Sequence, residues 1–255
     1  MRLIGVGVGP GDADLVTLRA LAVLRDADRV FVPTLGPDEA GRAEAIVRAH
    51  VPADRIERLV FALNERSDTA RRERHWDAAG TRVAGWLSAT AGLSATAGMA
   101  ATGGVAAFAT IGDPNLYSTF GYLAQTVRAA LPGVGIETVP GITAMQVLAS
   151  TAGLALAEGT EPLVLVPLAR DATALRAALA YASDGTVVAY KAGRHLDAVT
   201  AEVAAAGRLD TAVYGAHLGL PDQDVRPLSA CPPGPAPYLS TVVIAARRGL
   251  RGGAL

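Results

Sequence analysis

At 255 residues the chain has room for one large domain or two modest ones. Hydrophobic residues make up 51% and charged residues 18%, enough for a sizeable core and inconsistent with intrinsic disorder. A formal net charge of -1 without a basic run excludes a nucleic-acid footprint, and the single cysteine, Cys231, excludes an internal disulfide. No Cys/His spacing suits zinc, so no metal site is expected. The start lacks a signal-peptide pattern, and no uninterrupted apolar stretch of about twenty residues occurs. These features together predict a reduced, cytoplasmic protein with no membrane partner.

Short β-rich runs alternate with alanine-rich segments of helical period, which predicts an α/β fold with mostly parallel strands. Strand Leu3 to Val8 leads into Gly9-Pro10-Gly11-Asp12 and a helix over Asp14 to Arg25, started by Asp12 or Asp14. A strand over Arg29 to Val32 follows, then a helix near Ala40 to His50, a strand over Arg58 to Leu63, and a long helix over Arg66 to Ser88. Residues 88–99 are a tandem copy of six residues, read as an expanded loop or helix extension without a function of its own. Strand Val105 to Thr110 ends in Gly112-Asp113-Pro114-Asn115-Leu116, and a helix runs from there to Leu131. Strand Ile136 to Val139, the turn Pro140 to Ala144 and a helix to about Thr151 repeat that pattern. Strands over Leu163 to Pro167, Thr186 to Tyr190, Ala212 to Ala216 and Leu239 to Ala246 complete the chain, with helices over Thr173 to Ala182 and Leu196 to Ala206. The last strand is expected to lie antiparallel at a sheet edge. A boundary near Tyr117 predicts two α/β domains, residues 1–116 and 117–255, with a cleft between them.

The first glycine-rich turn has the wrong chemistry for phosphate. A dinucleotide fingerprint needs glycine at its first, third and sixth positions. Counting from Gly5 the sixth is Pro10, and counting from Gly7 it is Asp12. Proline removes an amide donor, and a carboxylate at a helix start repels phosphate. No Lys-Ser or Lys-Thr follows, which excludes a P-loop, and the strand ending in Pro33-Thr34 lacks the acid that binds ribose. The turn therefore suits a ligand with little or no phosphate. Four turns at strand ends share this character: Gly9 to Asp12, Gly112 to Leu116, Pro140 to Ala144 and Tyr190 to Arg194. Ligands of open α/β sheets bind at such ends. Asp113 is the fixed polar point among them, or else simply a cap for the next helix.

No acid–base constellation is evident. The histidines His50, His75, His195 and His217 are scattered, and Ser118 lacks the glycines of a nucleophile elbow. A fold of this kind is either a binding module or an enzyme whose cofactor carries the reactivity.

Gly7-Val8-Gly9-Pro10-Gly11-Asp12 with Leu15, Thr17 and Leu18 resembles the first signature of the tetrapyrrole methylases. Ile111-Gly112-Asp113-Pro114 and Val139-Pro140-Gly141-Ile142-Thr143-Ala144 are similar to their second and third, in the same order along nearly the whole chain. Within the family, Gly112 to Phe120 and the later Tyr190-Lys191-Ala192-Gly193-Arg194 resemble the precorrin-2 carbon-20 methyltransferases of cobalamin synthesis. The resemblance implies S-adenosyl-L-methionine as methyl donor and a carboxylate-rich tetrapyrrole as acceptor. It implies donor contacts at Pro10, Gly112, Asp113, Leu116, Thr143, Ala144, Leu168 and Ala192. Lys191, the single lysine, and Arg194, Arg71, Arg72 and Arg74 are candidates for the acceptor's carboxylates, the three helix arginines being equally readable as a solvated face. Tyr117 is the candidate catalytic residue, with core packing as its other reading. The resemblance also implies a homodimer. A cobalt-containing acceptor, another corrinoid or uroporphyrinogen methylase, a non-catalytic methylase-like module and a nucleotide-dependent oxidoreductase are the alternatives, the last disfavoured by the first turn.

Overall fold

The computed structural model describes residues 1–61, 68–96, 104–168 and 171–249. Arg66, positions 62 and 63 of the expected third strand, and residues 97–103 after the duplication's helical part lie outside them. The chain divides into two compact units, Met1–Thr143 and Ala144–Leu255. The break falls beyond the expected boundary near Tyr117, because the helix and strand that follow Tyr117 complete the first sheet rather than begin the second.

The first unit is built on five parallel strands, β1 (Arg2–Gly7), β2 (Arg29–Thr34), β3 (Ile56–Val60), β4 (Val105–Thr110) and β5 (Gly135–Val139), in the order β3-β2-β4-β1-β5. Central strands β1 and β4 bury nearly every residue, as expected where helices cover both faces of a parallel sheet. Helices α1 (Leu18–Asp26) and α2 (Arg42–Arg48) close one face over Ile4, Val6, Val30, Val32 and Ala107. Helices α3 (Thr69–Thr96) and α4 (Phe120–Ala130) close the other over Leu3, Phe31, Ala106 and Phe108. α3 runs past the expected end at Ser88, through the first copy of the duplicated hexapeptide and into the second.

The first helix starts later than the pattern predicts. Asp12 accepts from the Asp14 amide at 2.9 Å and caps only a 3-10 turn, Ala13–Leu15. Thr17 caps α1 itself, accepting from the Ala20 amide at 3.1 Å. The acidic residue thus sits one turn ahead of the helix, beside the glycine loop.

The second unit has a mixed sheet, β6 (Leu163–Pro167), β7 (Thr186–Tyr190), β8 (Ala212–Ala216), β9 (Asp224–Pro227) and β10 (Thr241–Ile244), in the order β6-β7-β10-β8-β9. Helix α5 (Ala144–Ala152) packs one face, and α6 (Thr173–Tyr181) and α7 (Leu196–Ala205) pack the other. β10 is antiparallel as expected, but it lies in the middle of the sheet between β7 and β8, not at an edge. All four of its residues are buried, which its uninterrupted Thr-Val-Val-Ile run requires. The edges belong to β6 and to β9, whose short Asp-Val-Arg-Pro sequence carries no alternating pattern. Buried Arg208 staples this unit together. Its guanidinium donates to the carbonyls of Ala182, Gly185, Ile244 and Ala245 at 2.6 to 3.2 Å, while burial lowers its pKa.

Candidate functional site

In the first unit the three signature turns leave neighbouring strands on one edge of the sheet, after β1, β4 and β5. They touch through backbone. The Gly112 amide donates to the Gly9 carbonyl at 2.8 Å, an isolated bridge that ties the first turn to the second. A methyl group added at Gly7 would lie 2.5 Å from the Gly112 carbonyl oxygen, and one at Gly141 only 2.1 Å from the same atom. Three peptide segments therefore meet with no room for side chains. Gly9 and Gly112 also hold left-handed conformations, φ 80 and 67.

Asp113 fastens the third turn to this pair. Its Oδ1 accepts from the Asn115 amide at 2.8 Å, and its Oδ2 accepts from the Gly141 amide at 3.0 Å. Asp113 is thus more than a local cap, because one oxygen reaches a segment on another strand. A carboxylate offers about four lone-pair positions, so acceptor capacity remains after these two bonds. Asn115 reinforces the link by donating from Nδ2 to the Thr138 hydroxyl at 3.2 Å. Pro10 and Thr143 are buried beside the turns, whereas Leu116 is half-buried. Within these three turns the only charged side chains are Asp12 and Asp113.

Tyr117 follows directly, with φ 53 and an exposed side chain. Ser118 helps set this turn, donating to the Thr110 hydroxyl at 3.1 Å and accepting from the Phe120 amide at 3.1 Å. α3 and α4 run side by side in the same direction: Trp76 stacks on Tyr122 with centroids 4.0 Å apart, and Thr126 Oγ1 donates to Asp77 at 3.2 Å. The first turns of α3 therefore stand beside the start of α4, which places Arg71, Arg72 and Arg74 at the Tyr117 end of the unit. The Arg71 amide donates to Asp68 Oδ1 at 2.8 Å, and the Arg74 guanidinium lies 3.9 Å from the same carboxylate.

In the second unit Ala144 opens α5, and the next amide, of Met145, donates to the Tyr190 hydroxyl at 3.4 Å. The end of β7 and the start of α5 are thereby brought together. Leu168 extends β6, its amide donating to the Tyr190 carbonyl at 2.8 Å. Leu168 and Ala192 are 1% and 0% exposed and belong to the core over α6 and α7. Lys191 directly follows β7 with φ 60 and is half-buried; Arg194 is exposed in the 3-10 turn that follows. Gly193 has the Pro237 carbonyl 2.0 Å from where a methyl group would stand, so the proline-rich loop closes directly over this turn.

One pairing has no counterpart in the sequence reading. His217, directly after β8, places Nδ1 2.5 Å from Asp222 Oδ2. The five-residue separation matches neither helical nor strand spacing, so only the turn geometry brings the two together. The Leu-Pro-Asp run was the available turn signal.

Comparison with known proteins agrees with the signature motifs. Residues 2–230 match the family described as Tetrapyrrole (Corrin/Porphyrin) Methylases. The chain is 31% identical to the precorrin-2 C(20)-methyltransferase of a Sinorhizobium species over 243 residues, covering 95% of this chain and 94% of that protein. It is 34% identical to a Methanocaldococcus jannaschii protein named "Probable cobalt-precorrin-2 C(20)-methyltransferase" over 170 residues, covering 67% of this chain and 65% of that protein. The fold is similar to the crystal structure of the cobalt precorrin-4 methyltransferase CbiF, with a TM-score of 0.65, 18% identity and coverage of 96% and 94% of the two chains.

Proposed function

The chain belongs to the tetrapyrrole (corrin/porphyrin) methylases, and from that premise we propose that it transfers the methyl group of S-adenosylmethionine to carbon 20 of precorrin-2. The observation that carries the donor half of this reading is the interlock of Gly7, Gly112 and Gly141, a surface of bare backbone whose only charges are carboxylates. Such a surface favours a cation and opposes phosphate. When bound, the donor supplies an electrophilic methyl group on a positively charged sulfur and brings no phosphate. Pro10, Gly112, Asp113, Leu116 and Thr143 would hold it from the first unit, with Asp113 spending its spare lone pairs on donor hydroxyl or amino groups.

Lys191 and Arg194, with Arg71, Arg72 and Arg74, would pair with the acceptor's carboxylates, since charge-assisted bonds to carboxylate are strong and directional. The residues lower the barrier chiefly by alignment and by keeping water away, effects that supply on the order of 7–11 kcal/mol in well-oriented reactions. Tyr117 is the catalytic candidate of the first unit: Tyr117→Phe should slow turnover, and unchanged turnover rejects that role. A cobalt-containing acceptor is the second reading, favoured by the name of the M. jannaschii relative. A cytoplasmic homodimer completes the proposal, and sedimentation velocity would report the dimer.

The test is incubation with methyl-labelled donor and either precorrin-2 or its cobalt form, followed by mass and NMR analysis of the product. One methyl group at carbon 20 is the expected result, and the preferred acceptor decides between the two readings. Donor binding without transfer to either acceptor rejects the enzyme, whereas a methyl group at another carbon rejects only the position.

A further inference from the structure

The exit of the first glycine turn is held from outside by a histidine. His50, just past the end of α2, places Nε2 3.0 Å from the Ala13 carbonyl oxygen, 37 residues earlier in the chain. A carbonyl only accepts, so Nε2 carries the hydrogen and the ring donates. The bond lands on the 3-10 turn Ala13–Leu15, which Asp12 caps and which separates the glycine turn from α1. The turn's own backbone bonds are long. The Leu15 amide donates to the Asp12 carbonyl at 3.1 Å, and the Val16 amide to the Ala13 carbonyl at 3.4 Å, the second beyond the usual range. None of the three residues of the turn is buried.

The chain that presents His50 is firm by contrast. Ile46, Val47 and Val51 are buried in the core that also holds Ile4, Val6 and Val8. The amides of His50 and Val51 both donate to the Val47 carbonyl at 2.9 Å. From the 3-10 turn the constraint passes back to the glycines by contact. A methyl group added at Gly9 would stand 3.2 Å from the Leu15 carbonyl oxygen, so the end of the turn lies over Gly9. The Gly9 carbonyl in turn accepts from the Gly112 amide at 2.8 Å. Pro10, Gly11 and Asp12 are therefore a short arm anchored at both ends, by Gly112 at Gly9 and by His50 at Ala13. Every one of these contacts lies inside the first unit.

We propose that His50 is a positioning residue for the methyl donor: its Nε2–H fixes the far end of the Gly9–Ala13 segment and so sets where Pro10, Gly11 and Asp12 stand. The inference rests on the reading above in which the first unit's turns hold the donor. His50 acts through the Ala13 carbonyl rather than by touching the donor. Without that N–H one end of the arm is released, and donor binding has to order it again. Such a cost falls on affinity and leaves the rate of the bound complex nearly unchanged.

The test compares wild type with His50→Phe, which keeps an aromatic ring and loses the N–H, and with His50→Gln, which returns an N–H at the reach of Nε2. By calorimetry His50→Phe should bind S-adenosylhomocysteine about 10-fold more weakly, the scale of one lost hydrogen bond. His50→Gln should stay within about threefold of wild type. In turnover, KM for S-adenosylmethionine should rise about 10-fold in His50→Phe, with kcat within about twofold of wild type. Hydrogen exchange at the Leu15 amide should accelerate in His50→Phe and not in His50→Gln. In wild type alone, 15N NMR of the imidazoles should show His50 protonated at Nε2. Wild-type affinity in folded His50→Phe, equal weakening in the Phe and Gln variants, or a bare Nε2 in wild type overturns the proposal. If wild type binds neither S-adenosylmethionine nor S-adenosylhomocysteine, the donor reading falls and the positioning role falls with it. If wild type binds them and His50→Phe matches it, the positioning role alone falls.

Discussion

The two sheets present different materials at the edges where their parallel strands end. In the first unit, Gly7, Gly112 and Gly141 are packed backbone to backbone, and Asp113 spends its carboxylate tying one turn to another. In the second, the strand ends deliver side chains: Lys191 and His217 in left-handed conformations, the latter paired with Asp222. A backbone surface is rigid and indifferent to side-chain rotamers, which suits a ligand bound the same way in every turnover. Side chains on strained turns supply charge, which suits a ligand that carries carboxylates.

The strongest way to break the contrast is to put a methyl group into the backbone interlock. Gly141→Ala places its Cβ 2.1 Å from the Gly112 carbonyl and 2.7 Å from Gly7 Cα, atoms that no rotamer change can move. The expected loss is about 3 kcal/mol by thermal or urea unfolding, at the upper end of overpacking costs, with donor affinity down at least ~100-fold by calorimetry. Asp113→Ala comes next, because it removes the acceptor of the Asn115 and Gly141 amides but adds no clash. A loss of about 2 kcal/mol and a ~10-fold weaker donor complex are expected.

Acid unfolding separates the first unit's framework from its turns. Buried Glu44 accepts from Arg58 at 2.7 and 3.0 Å and from Arg48 at 2.8 Å. The hydrogen bond from Arg58, the largest influence, holds its carboxyl below the ordinary range against the opposing effect of burial. Because the folded pKa is depressed, this stabilisation is fully present above the ordinary carboxylate range and is lost as pH falls through the lowered value. Glu44→Gln should cost about 1–2 kcal/mol at neutral pH and flatten the acid limb of stability measured by urea titration from pH 7 to 3. Donor affinity at neutral pH should hardly change. Lys191→Gly is the smallest perturbation in stability, since glycine accepts φ 60 without steric cost while loosening the unfolded chain. Stability should move by less than about 1 kcal/mol, while KM for the tetrapyrrole rises ~10-fold if the ammonium pairs with its carboxylates.

What could be read from the sequence follows the same division. The first edge was legible because its geometry is carried by glycine and proline, residues that leave few alternatives once a turn must fit against neighbouring backbone. Pro10 and Asp12 spoke against phosphate before any geometry was known, and the structure explains Asp12 further: it caps a 3-10 turn and leaves α1 to Thr17. The second edge was less legible. The central position of β10 depends on long-range pairing with β7 and β8, which local periodicity does not encode. Strand β9 carries too little apolar pattern to be recognised. His217 looked like one scattered histidine of four, because its partner is five residues away on a turn that no regular period describes. The resemblance implies donor contacts at Leu168 and Ala192, and the burial of both in the core over α6 and α7 depends on tertiary packing that local sequence does not encode.

The most direct test of the donor surface is calorimetric titration of S-adenosylmethionine, ATP and NAD into wild type and folded Gly141→Ala. The account predicts that wild type binds S-adenosylmethionine, ignores the two phosphate-bearing ligands, and loses its affinity when Gly141 gains a methyl group. Binding of ATP or NAD in place of S-adenosylmethionine, or undiminished donor binding by Gly141→Ala, would contradict it.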